Sequence, residues 1–118
     1  DWGHARDYVE CMWKILQQEE PDDYVIATGE NTSVRDFVRI AFKHVDIHLK
    51  FEGEGVDEVG IDTKTGKVVV RVNPEFFRPT EVDKLLGDPS KAIQKLNWNP
   101  RSTSLEDMVK EMVSKDLK

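Results

Sequence analysis

The sequence has little of what a secreted or membrane-embedded protein needs. Its 118 residues contain one cysteine, Cys11, so no internal disulfide can form and we expect an intracellular, cytoplasmic protein. No apolar run approaches the roughly 18 residues that a membrane-spanning helix requires. The stretch from Asp1 to His4 lacks the pattern of a signal peptide and fits the middle of a longer protein.

Basic residues are also in short supply. The chain has 17 lysines and arginines against 23 acidic residues, which gives a formal net charge of −6. Nucleic acids and anionic membrane surfaces are bound through basic faces, so we expect neither as a partner. An anionic ligand would need a local site that is built from a few well-placed arginines.

The overall amino-acid composition is typical of a folded protein, and we predict one domain that spans residues 1–118. Hydrophobic residues make up 38% of the chain and charged residues 34%, which is typical of a globular protein and unlike a disordered one. This length is sufficient for a modest hydrophobic core.

Helical periodicity predicts a first helix from about Ala5 to Gln18. Three further helices are predicted from capping signals: Ser33 with Asp36, Asp88 followed by Pro89, and Thr103 with Glu106. The motif Asn97-Trp98-Asn99-Pro100 should end the third of the four helices. Apolar residues on the first helix recur on one face, namely Tyr8, Val9, Met12, Trp13 and Leu16.

Three short segments are predicted as strands. Tyr24–Thr28 has the composition of a buried strand, Leu49–Phe51 is strand-like, and Val68–Val72 follows a turn at Thr63–Gly66. The fold class is therefore α/β, or α+β by local order, with helices packed on short strands plus a β-hairpin. The helix faces are expected to need a larger partner domain.

Several motifs could carry chemistry but favour structural roles. Gly53-Glu54-Gly55 lacks a following helix and lies among acidic residues, so an acidic loop is a better interpretation than a phosphate loop. His44 and His48 have no third metal ligand at a suitable spacing. We therefore predict no metal site, and no complete set of catalytic residues is evident.

Other residue types are assigned to packing or capping. Cys11 is predicted as a buried structural thiol, and the three tryptophans as packing anchors because no basic track accompanies them. Asp1 is predicted to cap the first helix. His4 and Asp7 stay undecided between an acid–base cluster and structural roles.

The strongest binding candidate is the segment Phe76–Val82. Pro79 fixes its own φ and holds Arg78 extended, and the two phenylalanines are expected to anchor the segment in a core. A guanidinium matches phosphate oxygens, whereas the carboxylate of Glu81 accepts from sugar hydroxyls or a base N–H. The alternative is an ion pair that stabilises a surface turn.

Motifs along the whole chain resemble the C-terminal part of the GDP-mannose 4,6-dehydratases, which are extended short-chain dehydrogenase/reductases. The resemblance lies in these stretches, in this order: Asp1–Val9 with Met12-Trp13 and Leu16–Gln18, Tyr24–Gly29, Ser33–Phe37, Phe77–Val82, Leu86–Ala92, Leu96–Pro100 and the Leu105–Leu117 helix.

This resemblance implies an NADP-dependent lyase and a homo-oligomer. The family oxidises C4 of the mannose of GDP-mannose, eliminates water across C5 and C6, and returns the hydride to C6. The product, GDP-4-keto-6-deoxymannose, feeds GDP-fucose and related deoxysugar synthesis. NADP is held by an N-terminal Rossmann domain, and a smaller C-terminal domain closes over the nucleotide-sugar.

The chain departs from the family pattern in what it lacks. Neither Tyr8 nor Tyr24 heads a Tyr-x-x-x-Lys pair, and the glycine-rich dinucleotide motif is absent. The resemblance therefore implies the substrate-binding portion without the Rossmann domain and without catalytic residues. Within it, Arg78 would contact the GDP phosphate and Glu81 the ribose.

Two other functions stay open. The chain could be a non-catalytic interaction module that binds a partner protein through its helix faces. It could also belong to a related nucleotide-sugar epimerase, which has the same fold and a different chemistry.

Overall fold

The computed structural model describes all 118 residues. Four α-helices and three strands follow one another in the order α-α-β-β-β-α-α, so the mixed α/β class is confirmed. The helices are α1 (Ala5–Leu16), α2 (Val34–Lys43), α3 (Ser90–Leu96) and α4 (Leu105–Asp116); the strands are β1 (Leu49–Glu52), β2 (Val59–Asp62) and β3 (Val68–Arg71), and Gly55–Asp57 forms a short 3-10 helix.

The chain divides into two compact units. The first comprises Asp1–Ser33 and Lys84–Lys118, and thus contains α1, α3 and α4. The second comprises Val34–Asp83, and thus contains α2 and the sheet. A single nucleotide-sugar-binding domain over residues 1–118 stays a prediction.

The core of the first unit forms around α1 and α3. Cys11, Ala92, Leu96 and Trp98 are buried together. Tyr8 meets Trp98 edge-on, with ring centroids 6.1 Å apart and planes at 62°. The predicted burial of Cys11 and the packing role of Trp98 are confirmed, and burial raises the pKa of the Cys11 thiol.

The predicted apolar face of α1 is largely exposed. Val9, Met12 and Trp13 are each more than half accessible, and Leu16 is 79% accessible. The helix instead buries Asp7 and Cys11. The periodicity thus located an apolar face correctly, but no other part of the first unit covers it.

The predicted strand at Tyr24–Thr28 is wrong. The segment is not part of a sheet, because no strand pairs with it. Instead, the backbone N–H of Thr28 donates to the carboxylate of Asp1 across 2.7 Å. Composition predicts an extended backbone, whereas a strand also needs a ladder partner.

Two helix starts differ slightly from prediction. α4 is capped by Ser104, whose hydroxyl accepts from the N–H of Asp107 at 3.1 Å, so the predicted Thr103–Glu106 box is displaced by one residue. α3 begins at Ser90, and its N–H donates to Asp88 at 3.0 Å. The left-handed Asn97 ends α3, as the sequence indicated.

The second unit contains an antiparallel sheet in the order β1-β2-β3. β3 was predicted one residue longer, and β2 was missed because its sequence includes a glycine and a terminal aspartate. Gly60 is required there, since an added Cβ would lie 2.9 Å from that of Val70. The predicted turn is present, and Asp62 stabilises it by accepting from Lys64 N–H and the Thr65 hydroxyl, which lowers the pKa of Asp62.

No helix in the chain combines the length and the apolar character that crossing a membrane requires.

Candidate functional site

Arg78 and Glu81 lie on the segment between β3 and α3, which has no helix or strand. The segment begins in a turn, where Phe76 N–H donates to the carbonyl of Asn73 at 3.1 Å. The side chain of Asn73 accepts from Glu75 N–H at 3.0 Å, so side-chain and backbone bonds together define the turn.

The expected aromatic anchor is only partly present. Phe76 is 75% accessible, so its predicted burial is wrong. Phe77 is less exposed and lies near Gly55, where an added Cβ would be 3.7 Å from its ring.

Arg78 and Glu81 approach one another without forming a hydrogen bond. Nη1 of Arg78 is 3.9 Å from Oε2 of Glu81, and the side chains are 77% and 60% accessible. An exposed pair at this distance contributes little to stability. The guanidinium therefore keeps its donors available, which is the property that a phosphate ligand requires.

Two other arginines of the second unit, Arg35 and Arg39, are engaged by protein partners. Arg35 donates to the carboxylate of Glu58 through both Nε and Nη2, and its guanidinium lies 5.8 Å from the centre of the Phe51 ring. Arg39 donates to Asp36 at 2.7 Å and also faces Phe51. These contacts stabilise the unit and make Arg78 the better candidate for an anion ligand.

A small cavity in the first unit was not identified from the sequence. It has a volume of about 240 Å³ and lies beside Trp2, Thr28 and the start of α4. Arg101 contributes its only cation, but donates to the carbonyl of Thr28 and lies 3.6 Å from Glu30. Because a hydrogen bond to the carbonyl of Thr28 already holds the Arg101 guanidinium, Arg78 is the better candidate for a phosphate ligand.

The three candidate acid–base residues have different partners. The carboxylate of Asp1 binds Thr28, Gly29 and Gly87, so the prediction that it caps α1 is wrong. His4 caps α1 instead, with Nδ1 accepting from Arg6 N–H at 3.0 Å. Asp7 is buried and accepts from Thr103 N–H at 2.9 Å, which gives it a structural role.

The most perturbed carboxylate lies outside the candidate site. Asp22 forms ion pairs with Lys91 at 2.7 Å and Lys95 at 3.3 Å. Hydrogen bonding to Lys91 is the main cause that lowers the pKa of Asp22 to about 2. These bonds connect the chain after α1 to α3, so the shift reflects a structural ion pair.

The remaining motifs are accounted for by local backbone geometry. Gly53 and Gly55 both have positive φ and lead into the 3-10 helix, with acidic residues on either side. α2 ends at Lys43 and Asp46 has φ of 59°, so His44 and His48 do not share a helical face. No group of three or more potential metal-binding side chains converges anywhere in the chain.

The tryptophans differ in their environments. Trp98 is buried, whereas Trp13 is 60% accessible, so the predicted packing role fails for Trp13 within this chain. Trp2 is partly exposed and donates its indole N–H to the carbonyl of Thr32 at 2.9 Å. This hydrogen bond holds the Trp2 side chain in position through its indole N–H.

Comparison with known proteins gives matches along nearly the whole chain. A family described as GDP-mannose 4,6 dehydratase matches residues 1–112. The GDP-mannose 4,6 dehydratase of Drosophila melanogaster is 59% identical over 117 residues, which cover 99% of this chain and 29% of the relative.

Two other relatives give similar results. The GDP-mannose 4,6-dehydratase of Vibrio cholerae is 52% identical over 128 residues, covering 100% of this chain and 34% of the relative. The GDP-mannose 4,6 dehydratase of Homo sapiens is 54% identical over 117 residues, covering 99% of this chain and 31% of the relative. The chain thus spans about a third of the length of the curated relatives that it matches.

Proposed function

Because this chain belongs to the GDP-mannose 4,6-dehydratase family, we propose that it supplies the GDP-sugar-binding portion of such an enzyme. The complete enzyme converts GDP-mannose to GDP-4-keto-6-deoxymannose, in the direction of GDP-fucose. The family resemblance that the motifs indicated is confirmed by these matches. The placement of the chain at the C-terminal end and its role in substrate binding are parts of the proposal.

The observation that carries the proposal is the state of Arg78. Its guanidinium is highly exposed and its ion-pair partner, Glu81, lies beyond hydrogen-bond distance. Arg78 then binds a phosphate of GDP through charge-assisted hydrogen bonds, and Glu81 accepts from the ribose hydroxyls. The 3.9 Å gap lets both groups turn to a ligand without breaking a strong bond.

The residues of this chain do not fit NADP. The only Gly-x-Gly stretch, Gly53-Glu54-Gly55, leads into a three-residue 3-10 helix and is flanked by Glu52 and Asp57. A dinucleotide pyrophosphate needs the N-terminus of a longer helix and no adjacent carboxylates. We place the cofactor and the catalytic residues on a Rossmann domain outside these residues.

Two features support a Rossmann domain as a partner. The apolar face of α1 is exposed from Val9 to Leu16, and Tyr24–Thr28 has no ladder partner. Apolar helix faces and unpaired extended segments are stabilised when a sheet domain covers them. Homo-oligomerisation and a cytoplasmic location stay predictions of the sequence.

The proposal is tested by Arg78→Ala in the complete enzyme. Loss of a charge-assisted phosphate contact should raise the Kd for GDP and for GDP-mannose by roughly 10- to 100-fold. Arg71→Ala is the matched control, because Arg71 is also exposed in the second unit but lies on β3. An Arg78 variant that binds GDP as tightly as the Arg71 variant would remove Arg78 from the site.

A second experiment concerns the isolated chain. Without the Rossmann domain the 118 residues should convert no GDP-mannose, even when NADP is supplied. Measurable turnover by the pure chain would contradict the proposal that the cofactor and the catalytic residues lie on a Rossmann domain outside these residues.

The exposed face of α1 also favours one alternative, a non-catalytic interaction module. Calorimetric titration of the chain with GDP, and with AMP for comparison, separates the two functions. Preference for GDP supports the enzyme portion, whereas equal or no binding supports the module. The matches to relatives named as dehydratases favour a dehydratase over a related epimerase.

A further inference from the structure

Arg78 directly follows a turn that hydrogen bonds hold in place. Phe77 N–H donates to the carbonyl of Pro74 at 3.4 Å, in addition to the bond from Phe76 N–H to the carbonyl of Asn73. All of these residues belong to the second unit, as Arg78 does. The backbone on the upstream side of Arg78 is therefore fixed within the same unit.

The two phenylalanines that precede Arg78 differ in their surroundings. Phe76 is 75% accessible, whereas Phe77 is 41% accessible. The ring of Phe77 faces Gly55, since a Cβ added to that glycine would lie 3.7 Å from Cζ of the ring, an ordinary van der Waals distance. Phe77 thus rests on the acidic loop between β1 and β2 (residues 53–57), and Phe76 has no such contact with a glycine of the chain.

The acidic loop is tightly closed on itself. Gly53 has a φ of 85°, and a Cβ added to it would lie 2.7 Å from the carbonyl oxygen of Asp57, so only glycine allows this close approach. Asp57 N–H also donates to the carbonyl of Glu54 at 3.1 Å. The loop therefore offers the Phe77 ring a well-defined surface.

Glu58 joins the end of the acidic loop to α2. Its carboxylate accepts from both Nε and Nη2 of Arg35, and its side chain is only 21% accessible. A two-bond pair between a guanidinium and a carboxylate is geometrically specific. Direct contacts and short stretches of backbone therefore run from α2 through the acidic loop to Phe77, all within the second unit.

We infer that Phe77 is a positioning residue for GDP recognition, because its ring rests on the acidic loop and so fixes the backbone next to Arg78. This inference rests on the proposed function of Arg78. On the other side, Pro79 fixes its own φ and favours an extended backbone at Arg78. A guanidinium whose backbone is restrained on both sides has fewer conformations to lose when a phosphate orders it, so binding costs less.

The test is Phe77→Ala in the complete enzyme. We expect the Kd for GDP and the KM for GDP-mannose to rise about 3- to 10-fold, with kcat at saturating substrate changed less than about 2-fold. Phe76→Ala is the matched control, because it removes the same ring from the neighbouring, more exposed position. An unchanged Kd in Phe77→Ala, or equal losses in the two variants, would overturn the inference.

A variant of the acidic loop tests the same contact from the other side. Gly55 has a φ of 58°, at which valine is strained, and the valine side chain would extend towards the Phe77 ring. Gly55→Val should therefore raise the Kd for GDP as Phe77→Ala does. Gly66→Val is the control, since Gly66 also has a positive φ, of 72°, but no atom lies within 4 Å of an added Cβ. Equal losses in the two valine variants would contradict the inference.

The double variant Phe77→Ala with Arg78→Ala distinguishes positioning from a direct contact between the ring and the ligand. If Phe77 acts through Arg78, the double variant should bind GDP no more weakly than Arg78→Ala alone. Additive losses would overturn the inference and leave the proposed function intact. Failure of the proposed function gives a different result, namely an Arg78→Ala variant with unchanged affinity.

Discussion

The indole N–H of Trp98 donates to the backbone carbonyl of Asp7 across 2.9 Å. Trp98 is 2% accessible and follows Asn97, the residue that ends α3, whereas Asp7 lies in the first turn of α1. One side chain thus fills the core and also satisfies a buried acceptor. This bond connects parts of the first unit that are far apart in the sequence.

Trp98→Phe should destabilise the chain, because phenylalanine leaves the carbonyl of Asp7 without this donor. The expected loss is about 1–3 kcal/mol in the free energy of unfolding, whereas Trp98→Ala should lose about 3–5 kcal/mol through the cavity that it creates. Urea unfolding followed by circular dichroism measures both values. Trp13→Phe is the control, since Trp13 is exposed. An equal loss of unfolding free energy in Trp13→Phe would contradict the role of the Trp98 indole N–H as a donor to Asp7.

His4→Ala should destabilise α1 by about 1 kcal/mol through loss of the N-cap. His4→Asn should be milder, because asparagine can accept from the same backbone N–H of Arg6. The comparison requires urea unfolding of both variants at neutral pH. Equal destabilisation would show that the contact of His4 with Glu111, at 3.3 Å, matters more than the cap.

Asp22→Asn should lower the melting temperature near neutral pH. The folded state lowers the pKa of Asp22 from 3.8 to about 2, so its ionised form stabilises the fold above the ordinary pKa. That contribution is lost as the pH falls from 3.8 to about 2, and the variant and wild type should converge there. Glu20→Gln, an exposed neighbour, should show no such convergence.

The isolated chain should self-associate through the exposed face of α1. Trp13→Lys combined with Leu16→Lys should reduce association, since two charges then lie on the apolar face. Sedimentation velocity over a concentration series measures the effect. Gln17→Lys with Gln18→Lys adds the same charge next to that face, and an equal reduction would indicate simple charge repulsion.

The sequence predicted helices well and strands poorly, for a physical reason. The apolar repeat of α1 and the carboxylate of Asp88, which lies one residue before the N-cap of α3 and accepts from Ser90 N–H, act within a few positions along the chain. A strand forms only when another strand pairs with it, and the local sequence pattern does not show which segment that partner is. Tyr24–Thr28 has the composition of a strand but no partner strand. β2 pairs with β1 and β3, although its composition is not typical of a strand.

The candidate site was predictable only in part. The spacing of Arg78 and Glu81 and the proline between them indicated a clamp, and the structure leaves both side chains exposed. The Gly87 N–H donates to the Asp1 carboxylate and the Asn31 amide donates to the Leu85 carbonyl, and both bonds join positions far apart in the sequence. Nothing in the local pattern around Asp1 distinguishes it from an ordinary helix cap.

The division of the chain has a consequence for its biosynthesis. The first unit is assembled from two stretches that Val34–Asp83 separates, and its core joins Cys11 of the early stretch to Ala92, Leu96 and Trp98 of the late one. The sheet of the second unit pairs only strands that are neighbours in sequence. During translation the second unit can therefore form as it emerges, while Cys11 of α1 stays uncovered until Ala92, Leu96 and Trp98 have been made.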